Sequence, residues 1–248
     1  MADPVADHTG RPPLLSVDGA SLAFPGVQAL DDMHLDLRHG EVLALVGENG
    51  AGKSSLMKLL TGIYTADSGR FELSGEPLDV KDPKDALETG ISIIHQEFNL
   101  MPHLTVAQNI FIGREPRSIG FLSERELNRK ARDLVQRLGL PLNVKSLAGG
   151  LTVAKQQMVE IAKALSYDAK VLIMDEPTAA LNDAEVQRLH ELIRAFKRDD
   201  TGVIYISHRM EDLKAICDRI TVIRDGQYVE TVDAATTTMK EVISLMVG

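Results

Sequence analysis

A lysine and a serine close the run Gly47-Glu48-Asn49-Gly50-Ala51-Gly52-Lys53-Ser54. The spacing fits G-x-x-x-x-G-K-[ST], a phosphate-binding loop. Gly47, Gly50 and Gly52 let the backbone bend so that successive N–H groups turn inward. The positive end of a following helix adds to that nest for a polyanion. Lys53 can reach the β- and γ-phosphates of a nucleotide, and the Ser54 hydroxyl can coordinate Mg²⁺. Ser55 can add a hydrogen bond to the α-phosphate, while Glu48, Asn49 and Ala51 complete the loop.

Three further polar groups end apolar runs. Val171-Leu172-Ile173-Met174 runs into Asp175-Glu176, a Walker B pattern. Asp175 can hold Mg²⁺, often through water, and Glu176 can orient or deprotonate a water for in-line attack on a γ-phosphate. Gln96 ends Ile91-Ser92-Ile93-Ile94-His95, where an amide oxygen can face Mg²⁺ or the attacking water; a solvated strand end is the alternative. His208 ends Val203-Ile204-Tyr205-Ile206-Ser207 and can hydrogen-bond both the γ-phosphate and the catalytic carboxylate. Phe24 stands about two dozen residues before the loop. Its ring can stack on a nucleobase or belong to the core, and residue type does not choose between them.

These groups need strands to aim them. Val42-Leu43-Ala44-Leu45-Val46 suits a buried strand entering the loop, and Ser55-Leu56-Met57-Lys58-Leu59-Leu60-Thr61 suits the helix leaving it. Ligands in an open α/β sheet bind beyond the carboxyl ends of its strands, which is where Gln96, Asp175, Glu176 and His208 fall. Residues 14–18 and 20–24 read as two strands separated by Gly19, and residues 33–37 alternate apolar and polar. Pro25-Gly26 and His39-Gly40 mark turns. Residues 71–75 read as strand and turn, and 83–88 as a short helix closed by Gly90.

From residue 101 to about 166 the pattern is helical and without strands. Thr105 would cap a helix through Ile112, and Ser123-Glu124-Arg125-Glu126 fits a capping box ahead of the stripe Leu127, Ala131, Leu134, Val135. Such a block suggests a helical insert in an α/β body. Residues 184–196 read as an amphipathic helix, 219–229 as a hairpin about Asp225-Gly226, and 240–246 as a terminal helix.

The chain has 248 residues, 44% hydrophobic and 25% charged, which is ordinary for a soluble globular protein. A formal net charge of −9 argues against a general nucleic-acid binder. The single cysteine, Cys217, permits no intrachain disulfide and fits a reducing compartment. Residues 1–13 have no apolar stretch and read as a disordered lead-in rather than a signal peptide. No apolar run reaches the ~18 residues of a membrane span.

The loop alone does not separate ATPase, GTPase, kinase or helicase. No Asn-Lys-x-Asp run reads guanine, which disfavours a GTPase. The order of Gln96, helical block, Asp175-Glu176 and His208 resembles the ATP-binding cassette family. That family carries a signature, usually Leu-Ser-Gly-Gly-Gln, where this chain has Leu151-Thr152-Val153-Ala154-Lys155-Gln156-Gln157. Other stretches narrow the resemblance to the first nucleotide-binding domain of carbohydrate importers of the ribose, galactose and xylose type. They are Phe24-Pro25-Gly26-Val27-Gln28-Ala29-Leu30, Ile94-His95-Gln96-Glu97, Asn109-Ile110-Phe111-Ile112-Gly113-Arg114-Glu115, Gln157-Met158-Val159-Glu160-Ile161-Ala162-Lys163-Ala164-Leu165 and Ile206-Ser207-His208-Arg209-Met210. The likeness covers residues 14–248.

The resemblance implies a P-loop NTPase fold of the ABC type. It would have a RecA-like core, an antiparallel β subdomain and an α-helical subdomain at about 98–166. It also implies ATP hydrolysis with Mg²⁺ at the cytoplasmic face of the cell membrane, as a peripheral subunit. The implied partners are a second cassette (in tandem on a longer chain or in a homodimer), a transmembrane sugar permease and, indirectly, a periplasmic or extracellular sugar-binding protein. No nucleic acid partner is implied. Thr152 would serve the nucleotide of the other cassette, with Val153 and Ala154 restricting the backbone approach that glycines allow. Asn182 stands where the family often has aspartate. An exporter or non-transport cassette ATPase, or a regulatory nucleotide-binding module, are the alternatives.

Overall fold

Alternation between two buried faces organises the chain. In the central strands every residue of Val42–Val46 and Gly202–Ile206 is buried. Runs without polar positions need cover on both sides, so such strands occur in parallel sheets layered between other elements. The computed structural model describes residues 11–95, 99–118 and 121–248; the lead-in expected for 1–13 lies largely outside them.

In chain order, β1 (Leu15–Phe24), β2 (Val27–Leu37) and β3 (Val42–Val46) precede α1 (Lys53–Leu60). β4 (Ser68–Leu73), β5 (Glu76–Pro77), α2 (Pro83–Thr89) and β6 (Ile91–Ile94) follow. Next come α3 (Val106–Ile110), β7 (Arg117–Ser118), β8 (Phe121–Leu122), α4 (Glu124–Arg137) and α5 (Val153–Leu165). The remainder is β9 (Val171–Asp175), α6 (Asp183–Phe196), β10 (Gly202–Ile206), α7 (Met210–Ile216), β11 (Arg219–Arg224), β12 (Gln227–Asp233) and α8 (Met239–Val247).

The six-stranded sheet has the order β12-β11-β3-β10-β9-β6, parallel throughout except for β12. A second, antiparallel sheet has the order β2-β1-β4-β5. Leu43, Leu45, Ile173 and Ile204 point from the main sheet to a core shared with that second sheet and α1. Their neighbours Val42, Ala44, Leu172 and Val203 point the other way, to a core formed with α6, α7 and α8. Each such side chain contributes roughly 1.5–3 kcal/mol of transfer free energy on burial. A third cluster joins α3, α4 and α5 through Val106, Ile110, Ala131, Leu134 and Val159. α5 belongs to two clusters, with Val159 and Ala162 in the third and Ile161 and Ala164 in the second. It thus ties the helical part to the sheet.

Three expectations change. Gly19 does not separate two strands: β1 is continuous, and the register slips between Val17 and Ala20, with Gly19 at φ 66° absorbing the irregularity. The stretch 101–166 is not free of strands, because β7 pairs with β8; a two-residue ladder carries no periodicity to read. At Ser123 one half of the reciprocal cap is present: its hydroxyl accepts from the Glu126 N–H at 3.4 Å. The Glu126 carboxylate instead lies 3.8 Å from Arg129 and from Lys130. Thr105 does make a full box with Gln108, on a helix ending at Ile110.

Candidate functional site

Parallel pairing places β3, β10 and β9 side by side, with Ile206 opposite Asp175. Their carboxyl ends therefore share one edge. β3 feeds the loop 47–52, β9 ends in Asp175 and hands on to Glu176, and β10 hands on to Ser207 and His208.

The loop is shaped by close packing. A Cβ on Gly47 would sit 2.3 Å from the Ile223 carbonyl oxygen and 3.0 Å from the Ala51 Cβ. Gly52 caps α1 at φ 104°, where a Cβ would meet Leu30 Cδ2 at 2.8 Å and the Ala29 oxygen at 2.9 Å. The Gly226 N–H donates to the Ala51 carbonyl at 3.1 Å, fastening the loop to the β11–β12 turn. Glu48, Asn49, Gly50 and Ser54 are exposed, Lys53 and Ser55 are half-buried, and Ala51 is buried. Lys53 Nζ lies back across the loop, donating to the Gly47 oxygen at 2.7 Å and the Glu48 oxygen at 3.0 Å. Burial pulls the Lys53 pKa down, against the opposing pull of Glu176 and Asp175.

Glu176 adopts φ 48°, a left-handed conformation unusual outside glycine. Its N–H donates to the Ile206 oxygen at 2.9 Å. The turn away from β9 lets Asp175 and Glu176, which would face opposite sides of a continuing strand, share one edge. Glu176 Oε2 accepts from the His208 N–H at 3.4 Å. Its Oε1 lies 3.3 Å from His208 Nε2, a contact without hydrogen-bond alignment. The imidazole is half exposed and the carboxylate largely buried. Burial raises the Glu176 pKa, with His208 lowering it and Asp175 raising it. Burial also raises that of Asp175, offset by His95, Lys53 and His208. A cation, two carboxyl groups and an imidazole thus converge beside a nest of backbone N–H groups, an arrangement able to hold a phosphate chain and prepare a water for attack.

The remaining expected residues fall elsewhere. Phe24 ends β1, is 37% exposed and meets Tyr64 edge-on, ring centroids 5.2 Å apart. Thr152 is exposed at the start of α5, where its hydroxyl accepts from the Lys155 N–H at 3.4 Å. It stands beside exposed Val153, on an element separate from the strand ends that carry Asp175 and Glu176. Gln96, expected both as a catalytic and as a metal-facing residue, lies outside the described residues.

The sequence reading assigned no role to His95 or Tyr64, and it read Gly226 only as a turn residue. His95 stood inside a quoted stretch, but nothing local shows that, just past β6, it bears on Asp175. Asn182 caps α6 in a reciprocal box with Glu185, a signal that the three-residue spacing Asn182–Glu185 carried. Among the described residues no group of three or more His, Cys, Asp or Glu side chains could hold a metal unaided. A site of hydroxyl and carboxylate oxygens suits Mg²⁺, which keeps several waters and leans on substrate phosphates.

Residues 30–179 match the family model described as ABC transporter. A relative from Burkholderia cenocepacia (strain HI2424), a putative ribose/galactose/methyl galactoside import ATP-binding protein, is 58% identical over 238 residues, covering 95% of this chain and 46% of its own length. A similarly described protein of Albidiferax ferrireducens is 55% identical over 237 residues, covering 95% and 47%. The chain spans about half the length of the curated relatives it matches. Among solved structures, the ADP conformation of MJ1267, an ATP-binding cassette of an ABC transporter, superposes with TM-score 0.82 at 24% identity, covering 95% of this chain and 99% of that one. A nucleotide-free ATP-binding cassette gives 0.82 at 25% identity, covering 94% and 95%. The fold is that of these cassettes.

Proposed function

The chain belongs to the ABC transporter family, and on that premise we propose that it binds and hydrolyses ATP to drive import of a sugar through a membrane permease. The observation that carries the proposal is the convergence of Lys53, Asp175, Glu176 and His208 at the ends of β3, β9 and β10. The described import function of its relatives supports the sugar. Residues 14–248 would form one cassette, with its helical subdomain at about 98–166.

In this reading the loop N–H groups from Gly47 to Gly52, with Ser54 and Ser55 in the first turn of α1, bind the phosphates. Lys53 exchanges its two carbonyl partners for phosphate oxygens, and its burial makes that charge-assisted contact stronger than at a surface. Phe24 supports the base. Ser54 and Asp175, with Gln96, would hold Mg²⁺, which would supply neutralisation of the charge that develops on the phosphates. Glu176 accepts a proton from the attacking water through a carboxylate already made more basic by burial. His208 fixes that carboxylate and donates towards the γ-phosphate.

Thr152 would meet the nucleotide of a second cassette, in tandem or in a homodimer, and its exposure at the start of α5 supports that reading. With Val153 and Ala154 in place of glycines, the site that borrows Thr152 is the weaker, and the site built on Lys53 and Glu176 does most of the hydrolysis. A cavity of about 190 Å³, lined in part by Pro83, His95, Asn99, Glu160, Lys163 and Tyr167, lies between α2, β6 and α5. It offers a permease a seat that touches both the sheet and the helical part. Among the described residues no helix is long and apolar enough to cross a membrane. In this reading that permease holds the cassette peripherally, at the cytoplasmic face, and a sugar-binding protein acts only through the permease. The test is the ATPase rate of wild type and Glu176→Gln in the assembled transporter. A fall of at least 100-fold is expected, about what a positioned base contributes; equal rates would refute the catalytic assignment.

A further inference from the structure

Beneath the site lies a buried carboxylate that the proposed chemistry does not use. Asp212, on α7, is 2% exposed, and the groups that face it come from the turn after β9, from β10, from α6 and from the start of its own helix. The Thr178 hydroxyl, from the turn after Glu176, donates to its Oδ2 at 2.7 Å. The Tyr205 hydroxyl, from β10, reaches the same oxygen at 3.4 Å. His190 Nε2, from α6, lies 3.6 Å from Oδ1, and Arg209 Nε lies 3.9 Å from Oδ2. Thr178, His190 and Tyr205 are 1%, 1% and 0% exposed. A buried carboxylate is expensive unless its partners compensate it; here the Thr178 and Tyr205 hydroxyls hydrogen-bond it, while the His190 nitrogens make no hydrogen bond.

The connectivity gives it a purpose. Thr178 is two residues beyond Glu176, and the Ala179 N–H closes the intervening turn on the Glu176 oxygen at 3.3 Å. Asp212 is four residues beyond His208, and its N–H bonds the Arg209 oxygen at 3.0 Å. One side-chain bond therefore joins the turn that carries the base to the helix start that carries the imidazole. Glu176 is in a left-handed conformation, φ 48°, and such a residue persists only where its surroundings over-determine it. We propose that Asp212, through Thr178, is the positioning residue that locks the Glu176 turn against the His208 segment and so sets the contact between the two. The inference rests on the reading that Glu176 and His208 perform the hydrolysis.

The test uses the full natural ATPase chain with its permease, comparing wild type, Thr178→Val, Thr178→Ser and Glu176→Gln. Valine keeps the shape and removes the donor; serine keeps the donor. The expected result is a kcat lowered between about 10- and 100-fold in Thr178→Val, the scale of a misplaced catalytic group. The Kd for ATP should stay within about twofold, and Thr178→Ser should recover most of the rate. A wild-type kcat in Thr178→Val, or an equal loss in the two variants, would overturn the clamp. So would a kcat loss matched by an equal loss of ATP affinity. An abolished rate in Glu176→Gln beside a full rate in Thr178→Val overturns the clamp alone; an unchanged rate in Glu176→Gln overturns both readings. Should Thr178→Val fail to fold, Thr178→Ala removes the same donor with a smaller side chain. There a several-fold lower kcat at constant Kd supports the proposal, and an unchanged kcat overturns it.

Discussion

Replacing Gly47 with alanine adds one methyl group, and the surroundings fix its consequence. The new Cβ would lie 2.3 Å from the Ile223 carbonyl oxygen, 3.0 Å from the Ala51 Cβ and 3.0 Å from Ile223 Cγ1. The nearest of these is backbone in β11, which pairs with β3 in the main sheet, so no rotamer change relieves it. An ordinary carbon–oxygen contact is roughly 3.3 Å or more, so the loop must move outward by about 1 Å. Overpacking of this kind costs about 1–3 kcal/mol of stability, which for a chain of this size lowers Tm by roughly 2–12 °C. The larger effect falls on binding, because a nest of N–H groups works only when all of them point at one anion. A displacement of that size should weaken nucleotide binding by about two orders of magnitude. The control is Gly50→Ala: nothing lies within 4 Å of its Cβ, and the strain comes only from φ 87°, a cost of about 1–3 kcal/mol. Titration calorimetry with ATP on the folded chain, alongside a melting curve, separates the two variants. A Kd for Gly47→Ala within twofold of wild type would refute the argument that close packing shapes the loop.

The raised pKa of Glu176 has a direction in stability. Its carboxyl binds protons more readily folded than unfolded, so its contribution is full below the unfolded value and is lost as pH rises through the higher folded value. Glu176→Gln should therefore melt higher than wild type at neutral pH. The gap should narrow as pH falls towards the model-peptide range near 4.5; a gap that does not depend on pH would contradict the desolvation account. Phe24→Ala should raise the Kd for ATP about fivefold, equivalent to ~1 kcal/mol of lost stacking. If titration shows an unchanged Kd, Phe24 belongs to the packing with Tyr64 and not to the base.

Much of the site was legible because its signals are local. Gly47, Gly50 and Gly52 stand at intervals that only a phosphate nest requires, and Asp175, Glu176 and His208 interrupt apolar runs at their ends. Gly90 closing α2 and the Asp225-Gly226 turn follow from backbone preferences within a few residues. What escaped was either too short or too distant. The β7–β8 ladder spans two residues a side, below any readable period. The continuity of β1 through Gly19 depends on its pairing with β2 and β4, partners that a break-prone glycine does not reveal.

The sequence by itself determined that a strand, a glycine-bent loop and a helix would present Lys53 and Ser54 to phosphate, and that carboxylates would end a buried strand. Those are properties of neighbouring residues: spacing, side-chain type and periodicity. Only the tertiary structure decided that β10 would lie between β3 and β9, bringing His208 within 3.3 Å of Glu176. It alone turned Glu176 out of its strand, set the Ile223 carbonyl against Gly47 and gathered Thr178, His190, Tyr205 and Asp212 into one buried cluster. Strand order and cross-chain contacts depend on which apolar faces cover one another, and that is settled by packing the whole chain at once.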